Sequence, residues 1–421
     1  MMVSKTLDEW LTTIEAIHPK SIDMGLERIR AVYAALGSPR PARYVITVAG
    51  TNGKGSTVAF LESIAQCETW RVGAYTSPHL LRFNERIRIQ GSEVADADLV
   101  SAFERIDAAR GTTPLTYFEF ATLAALLLFA DAKLALAILE VGLGGRLDAT
   151  NLIDSDVAVI TTVDLDHQDY LGADRELIGA EKAGVMRAWK PVVLGDEDPP
   201  SSVLGRAYRL GASAIRYRCD FFVDVEPAAD HWIWREPGTQ FAVPMPQLQA
   251  PVQIRNAAVA IAAMRALPNS PKRASLQQGI ANATVSGRLQ NVAFEGHSIT
   301  VDVAHNPQAA GELSAWLRAH PIPGRNVAVF AGLADKDRAG VLDRLADDIA
   351  QWELAPLPGP RGEALPQLQQ ALSGHRALSG VCWHSDVLSA VRHAIATSKT
   401  DDRIVVFGSF LSVAAVLQAA S

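Results

Sequence analysis

The chain has 421 residues, 48% of them hydrophobic and 20% charged, enough for two or three domains with cores of their own. A formal net charge of −7 argues against general affinity for nucleic acid or anionic membrane, since both need a basic surface. The three cysteines, Cys67, Cys219 and Cys382, lie far apart with no CxxC pair, which disfavours structural zinc and a disulfide framework and fits a reducing cytosol.

The opening MMVSKTLDEWL carries Asp8 and Glu9 where a signal peptide would be apolar, so a cytoplasmic location is expected. Tyr44–Ala49 then reads as a strand, and Lys54–Thr69 as a helix with Val58, Leu61 and Ala65 on one face. A helix is expected over Tyr117–Ala130. Its apolar stretch Ala121–Ala130 is too short to span a bilayer and reads as buried. Ala135–Glu140, Val157–Thr161 and Val192–Leu194 are further strands, with a helix over Asp174–Met186. Such alternation predicts a mostly parallel sheet covered on both faces. Asp220–Met245, rich in aromatics and prolines, reads as a small antiparallel excursion. A second alternation follows Asn282–Arg288: strands at Ile299–Val303, Val327–Ala331 and Ile404–Phe407, helices near Pro307–His320, Lys336–Ala350 and Ser385–Ser398. Two α/β domains are expected, residues 1–285 and 286–421.

Between the first strand and its helix lies Val48-Ala49-Gly50-Thr51-Asn52-Gly53-Lys54-Gly55-Ser56-Thr57. Its glycines let backbone amides approach phosphate oxygens, and the helix N-terminus adds a favourable dipole. Lys54 suits terminal phosphates and Ser56 suits Mg²⁺. The strict P-loop pattern is not met, because Gly55 intervenes between Lys54 and Ser56. The plainer reading is a glycine turn that merely starts a helix.

Glu140 ends an apolar strand before a Gly-rich turn, at the strand end where α/β sheets bind ligands, and a carboxylate there suits Mg²⁺. Taken singly, Glu140 also reads as a helix cap, His167 as a turn residue and Lys182 as part of a solvated helix face. Likewise, Tyr117 and Phe118 also read as core, and Asp302 as a helix cap.

The GTNGKGS loop resembles that of the Mur ligase superfamily, and further segments resemble its folate branch, the folylpolyglutamate synthase/dihydrofolate synthase family. These are SIDMGLER from Ser21, TSPHL from Thr76, TYFE from Thr116, LEVGLGGRLDATN from Leu139, DHQDYLG from Asp166, EKAGV from Glu181, DVAHNP from Asp302 and FGSF from Phe407. They run in order over nearly the whole chain. The resemblance implies an N-terminal P-loop ATPase domain with a mostly parallel sheet and a smaller C-terminal Rossmann-like α/β domain of the glutamate ligase type, with ATP held between them. It implies condensation of 7,8-dihydropteroate, and of reduced folates, with L-glutamate through an acyl phosphate, by a monomer.

Residue by residue, the resemblance places Ser56, Ser77 and Glu140 at one Mg²⁺ and His167 at a second. It makes Lys182 a CO₂-derived carbamate beside that second ion. Asn256, Arg288, Asp302 and His305 fall at the nucleotide, although Ser286 and Leu289 depart from the family's pattern around Arg288. Asp23, Met24, Gly25 and Leu26, with Thr116, Tyr117, Phe118 and Glu119 and with Leu147, Asp148 and Ala149, fall at the pterin. Two rivals are a cell-wall ligase of the same superfamily and a non-catalytic ATP-binding regulator. Only some fifty residues precede the phosphate loop, which disfavours the first. The joint occurrence of Glu140, His167 and Lys182 disfavours the second.

Overall fold

Val45, Ile46, Val48 and Ala49 are all fully buried, with no alternation, as in a strand covered on both faces. They lie on β1 (Ala42–Ala49), at the centre of an eight-stranded sheet in a computed structural model that describes residues 5–20, 22–226 and 229–420. Ser21, the first residue of one motif, lies outside the described residues. The other strands are β2 (Val72–Tyr75), β3 (Ile87–Ile89), β4 (Ser92–Glu93), β5 (Leu134–Glu140), β6 (Val157–Ile160), β7 (Pro191–Leu194) and β8 (Ser213–Arg216). Their order is β4-β3-β2-β5-β1-β6-β7-β8. The six strands from β2 to β8 in that order are parallel, and β3 and β4 add an antiparallel edge.

Helix Tyr117–Asp131 is apolar almost all round because it is buried almost all round. Leu123, Leu126, Leu127 and Phe129 are each fully enclosed, at roughly 1.5–3 kcal/mol apiece by area. Among the described residues no helix is long and apolar enough to cross a membrane. The expected helix over Asp174–Met186 is shorter: it runs Arg175–Lys182 and passes into a 3₁₀ turn, Ala183–Val185. There the glycine at 184 lies so close to the Arg146 backbone that no Cβ fits.

The aromatic segment forms β9 (Phe222–Asp224), β10 (His231–Glu236) and β11 (Thr239–Pro244), an antiparallel three-stranded sheet. Its core rings are Phe221, Trp234 and Phe241.

The chain divides into two compact units, Met1–Gln247 with Ile254–Thr284, and Leu248–Gln253 with Val285–Ser421. The second holds β12 (Gln290–Phe294), β13 (His297–Val301), β14 (Asn326–Phe330), β15 (Gln351–Leu354), β16 (Cys382–Trp383) and β17 (Arg403–Phe407), in the order β12-β13-β17-β14-β15-β16. All neighbours are parallel except the hairpin β12–β13. Helix Arg338–Leu345 is shorter at both ends than the expected Lys336–Ala350, because Asp337 caps it by accepting from the Gly340 amide.

Candidate active site

β1 ends at Ala49, and the loop that follows is braced from the segment after β6. The Thr51 amide donates to the Thr162 carbonyl (2.8 Å), and the Asn52 amide to Thr162 Oγ1 (3.1 Å). Thr161 Oγ1 donates to the Asn52 carbonyl (2.6 Å), and Thr51 Oγ1 accepts from the Asp164 amide (3.0 Å). Gly50 must be glycine, since a Cβ would collide with the Thr161 side chain. Gly53 caps helix Lys54–Cys67 with φ +85°, where a Cβ would stand 2.7 Å from Asn256 Oδ1. That contact places Asn256 beside the loop. Lys54 Nζ folds back to donate to the Gly50 and Thr51 carbonyls, at 2.9 and 3.1 Å.

Ser56 and Thr57 are buried in the first turn of that helix, and Thr57 Oγ1 has no hydrogen-bond partner among the described residues. A buried orphan hydroxyl at a helix N-terminus fits a polar ligand such as phosphate.

Strand pairing sets Glu140 beside the loop, since it lies opposite Val48 in the β1–β5 register. Glu140 is 5% exposed, and its carboxylate accepts from the Ser77 amide (3.4 Å) and would be 3.8 Å from a Cβ at Gly55. The Glu140 carboxylate with the Ser56 and Ser77 hydroxyls is an all-oxygen donor set, the chemistry that fits Mg²⁺.

Lys182 ends helix Arg175–Lys182 and is 4% exposed, so it does not stand on a solvated face. Its pKa falls to about 7, first through burial and then through the Lys54 charge, with Asp166 and Asp148 pulling the other way. The phosphate-loop lysine, this buried amine and two acids therefore share one electrostatic neighbourhood. His167 occupies a left-handed turn (φ 52°) beside Asp166, whose Oδ1 accepts the His167 amide at 2.8 Å. Asp166 was visible in sequence only as part of the DHQDYLG run. Its pull on Lys182 depends on a fold contact that no spacing announces.

The segments assigned to the pterin also converge. Arg28 pairs with Asp23 (2.6 Å) and with Glu119 (3.3 Å), tying residues 23–26 to helix Tyr117–Asp131. Thr116 and Glu119 form that helix's capping box. The tip of the Phe118 ring approaches Gly142 so closely that a Cβ there would be 2.6 Å from it, and Met24 Cε would be 3.4 Å from a Cβ at Gly144. Tyr117 packs edge-on against Phe83 at 5.7 Å, so its ring belongs to the core, with Arg86 over its face. Asp148 accepts from the amides of Gly142, Leu143 and Thr150 and from the Thr150 hydroxyl, fixing the shape of the turn that carries Leu147 and Ala149. Gly145 lies where a Cβ would be 2.8 Å from the Glu181 carbonyl, which docks this turn on the end of the Lys182 helix. Arg28 was not singled out in sequence; its role shows only when its two acidic partners meet.

In the second unit, Asp302 follows β13 and is buried, which raises its pKa while the Arg288 charge opposes the rise. It accepts from the Leu289 amide (2.9 Å) and the Ala304 amide (2.8 Å). The helix that follows is capped instead by Asn306, so the helix-cap reading of Asp302 falls. His305 Nδ1 lies 2.8 Å from the Val303 carbonyl. Arg288, Asp302 and His305 thus share one strand end.

Residues 48–264 match the Mur ligase middle domain, and residues 287–410 the Mur ligase glutamate ligase domain. The chain is 44% identical over 414 residues to the dihydrofolate synthase/folylpolyglutamate synthase of Escherichia coli, covering 98% of this chain and 95% of that one. It is similar to the structure of E. coli FolC in complex with DHPP and ADP, with a TM-score of 0.92, 43% identity and coverage of 99% and 97%. A bifunctional folylpolyglutamate synthase/dihydrofolate synthase with Mn, AMPPNP and L-glutamate bound matches with a TM-score of 0.90 at 43% identity, covering 99% and 98%.

Proposed function

The chain belongs to the dihydrofolate synthase/folylpolyglutamate synthase family, the folate branch of the Mur ligases, and from that premise we infer an ATP-dependent ligase that condenses dihydropteroate or a folate with L-glutamate. What carries the reading is the braced glycine loop at the end of β1, with Lys54 at the start of its helix and the Glu140 carboxylate set beside it by the β1–β5 register. A glycine loop entering a helix N-terminus with a carboxylate alongside suits a phosphate and its metal ion.

The loop amides from Gly50 to Thr57 and the Lys54 ammonium receive the terminal phosphates of ATP. Ser56, Ser77 and Glu140 would hold Mg²⁺, which supplies charge neutralisation when bound. The substrate carboxylate attacks the γ-phosphorus in line, a C–O–P linkage forms, and ADP leaves. Positioning and electrostatics carry this step. The glutamate amine then attacks the acyl carbon and loses its proton, and phosphate departs as the amide forms. Residues 23–26, 116, 118, 119 and 147–149 hold the pterin end, with Phe118 offering an aromatic face to the ring, while Tyr117 packs into the core behind them. Asn256, Arg288, Asp302 and His305 serve the nucleotide.

Lys182 becomes a carbamate in this reading. Its neutral amine attacks dissolved CO₂, an N–C bond forms, one C=O pair moves to oxygen and a proton is released. The lowered pKa supports this, because only the neutral amine is a nucleophile. The resulting anion, with His167, suits a second Mg²⁺ and offsets the Lys54 charge.

Purified protein given ATP, Mg²⁺ and glutamate should convert dihydropteroate, or a reduced folate, into the adduct heavier by one glutamyl residue, with ADP formed in equal amount. ATP consumption indifferent to either co-substrate would sink the reading.

A further inference from the structure

Glu353 lies on β15 with no exposed surface, yet among the described residues its ionic partners are two histidines and no lysine or arginine. Its Oε2 is 2.6 Å from His384 Nε2 and 2.9 Å from His393 Nδ1. The three atoms all lie within 4.8 Å of one another. His384 directly follows β16, its amide donating to the Leu354 carbonyl, and His393 lies on helix Val387–Thr397. The other carboxylate oxygen, Oε1, accepts from the Gln351 amide nitrogen, which also donates to Thr397 Oγ1 at 3.1 Å. Oε2 is thereby left facing both imidazoles, with an oriented second shell behind it.

We propose that this cluster is a binding site for a divalent transition cation of the zinc class, separate from the Mg²⁺-nucleotide site and held by Glu353 Oε2, His384 Nε2 and His393 Nδ1. The donor set decides the class, since two imidazoles and one carboxylate suit Zn²⁺ or Co²⁺, whereas Mg²⁺ prefers oxygen. Ligands of a tetrahedral Zn²⁺ stand roughly 3.3 Å apart, given bonds near 2.0–2.1 Å. The two oxygen–nitrogen distances, 2.6 and 2.9 Å, reach that spacing by opening less than an ångström, as each facing nitrogen gives up its proton to the ring's other nitrogen or to water. Access is through His393, whose side chain is 41% exposed. The bound ion joins β15, the residue after β16, and helix Val387–Thr397, pinning a two-residue strand at the edge of the sheet. Sites of this kind stabilise without entering the chemistry.

The test is titration of chelator-treated, full-length protein with Co²⁺ in the presence of excess Mg²⁺ and ADP. The expected result is one equivalent bound with visible ligand-field bands, and a melting temperature that rises with Co²⁺. Gln351→Ala should weaken binding about 10- to 100-fold. His393→Gln and His384→Gln should each weaken it further, while ligase turnover at saturating Mg²⁺ stays unchanged. Absence of bands at millimolar Co²⁺ in the wild-type protein overturns the proposal without any variant. Bands that persist undiminished in folded His393→Gln overturn it too.

Discussion

At position 182 an amine with 4% of its surface exposed is pulled two ways, by burial and Lys54 toward neutrality, by Asp166 and Asp148 toward charge. With a pKa of about 7 against an ordinary 10.5, roughly half the population is neutral at pH 7, where an unperturbed lysine has roughly one in 3,000. The sign follows from linkage. Because the folded pKa is depressed, the unfolded chain binds the proton more tightly between about 7 and 10.5, and the fold gains stability as pH rises through that window. Carbamylation follows the same curve. Protein in ¹³C-bicarbonate should show a carbamate carbon resonance at pH 8 that weakens below pH 7 and is missing in Lys182→Ala. A resonance that survives the substitution would refute the assignment. Lys182→Ala should also cut turnover by about 100-fold or more, the scale for losing one preorganised electrostatic group. At Gly53, alanine must adopt φ +85° and crowd Asn256, so Gly53→Ala should cost about 1–3 kcal/mol in denaturant unfolding and raise KM for ATP. Glu140, His167 and Lys182 were legible as motif residues. The coupling of Lys182 to Asp166 was not, because it arises from a contact that the fold makes and no spacing announces.

The helix Tyr117–Asp131 joins local signals to substrate geometry. Thr116 accepts from the Glu119 amide, and the Glu119 carboxylate returns to the Thr116 amide while also meeting Arg28. Thr116→Ala should lower stability by about 1 kcal/mol, the usual worth of a cap, read from the urea midpoint. Arg28→Leu separates the 23–26 segment from this helix. Its expected signature is a raised KM for dihydropteroate with KM for ATP nearly unchanged; an equal rise in both would contradict the link. β1 and β5 could be read from sequence by their unbroken apolar runs, whereas Thr116 and Glu119 stood out there only as part of a family motif and their capping box appears in the fold. Val72–Tyr75 escaped notice because four buried residues, one a glycine, carry no period. The Glu353, His384 and His393 cluster escaped for a different reason. Metal spacing rules look for cysteines and nearby histidines, and these three residues meet only through β15–β16 pairing and the packing of one helix.

Over the whole chain, alternating strand and helix signals marked two α/β units; the longer stretch of the second unit is Val285–Ser421. The inclusion of Leu248–Gln253 in that second unit could not be seen, since six residues without a distinctive period do not reveal which core they join. Sheet order was hidden too, because β5 enters between β2 and β1 through crossovers that sequence order does not display. That insertion is what sets Glu140 against the phosphate loop. The most direct measurement of the central claim is isotope transfer during turnover. Dihydropteroate labelled with ¹⁸O in its carboxylate, incubated with ATP, Mg²⁺ and glutamate, should yield inorganic phosphate carrying one ¹⁸O, since the attacking oxygen leaves with the phosphoryl group. Product amide accompanied by unlabelled phosphate would contradict an acyl phosphate.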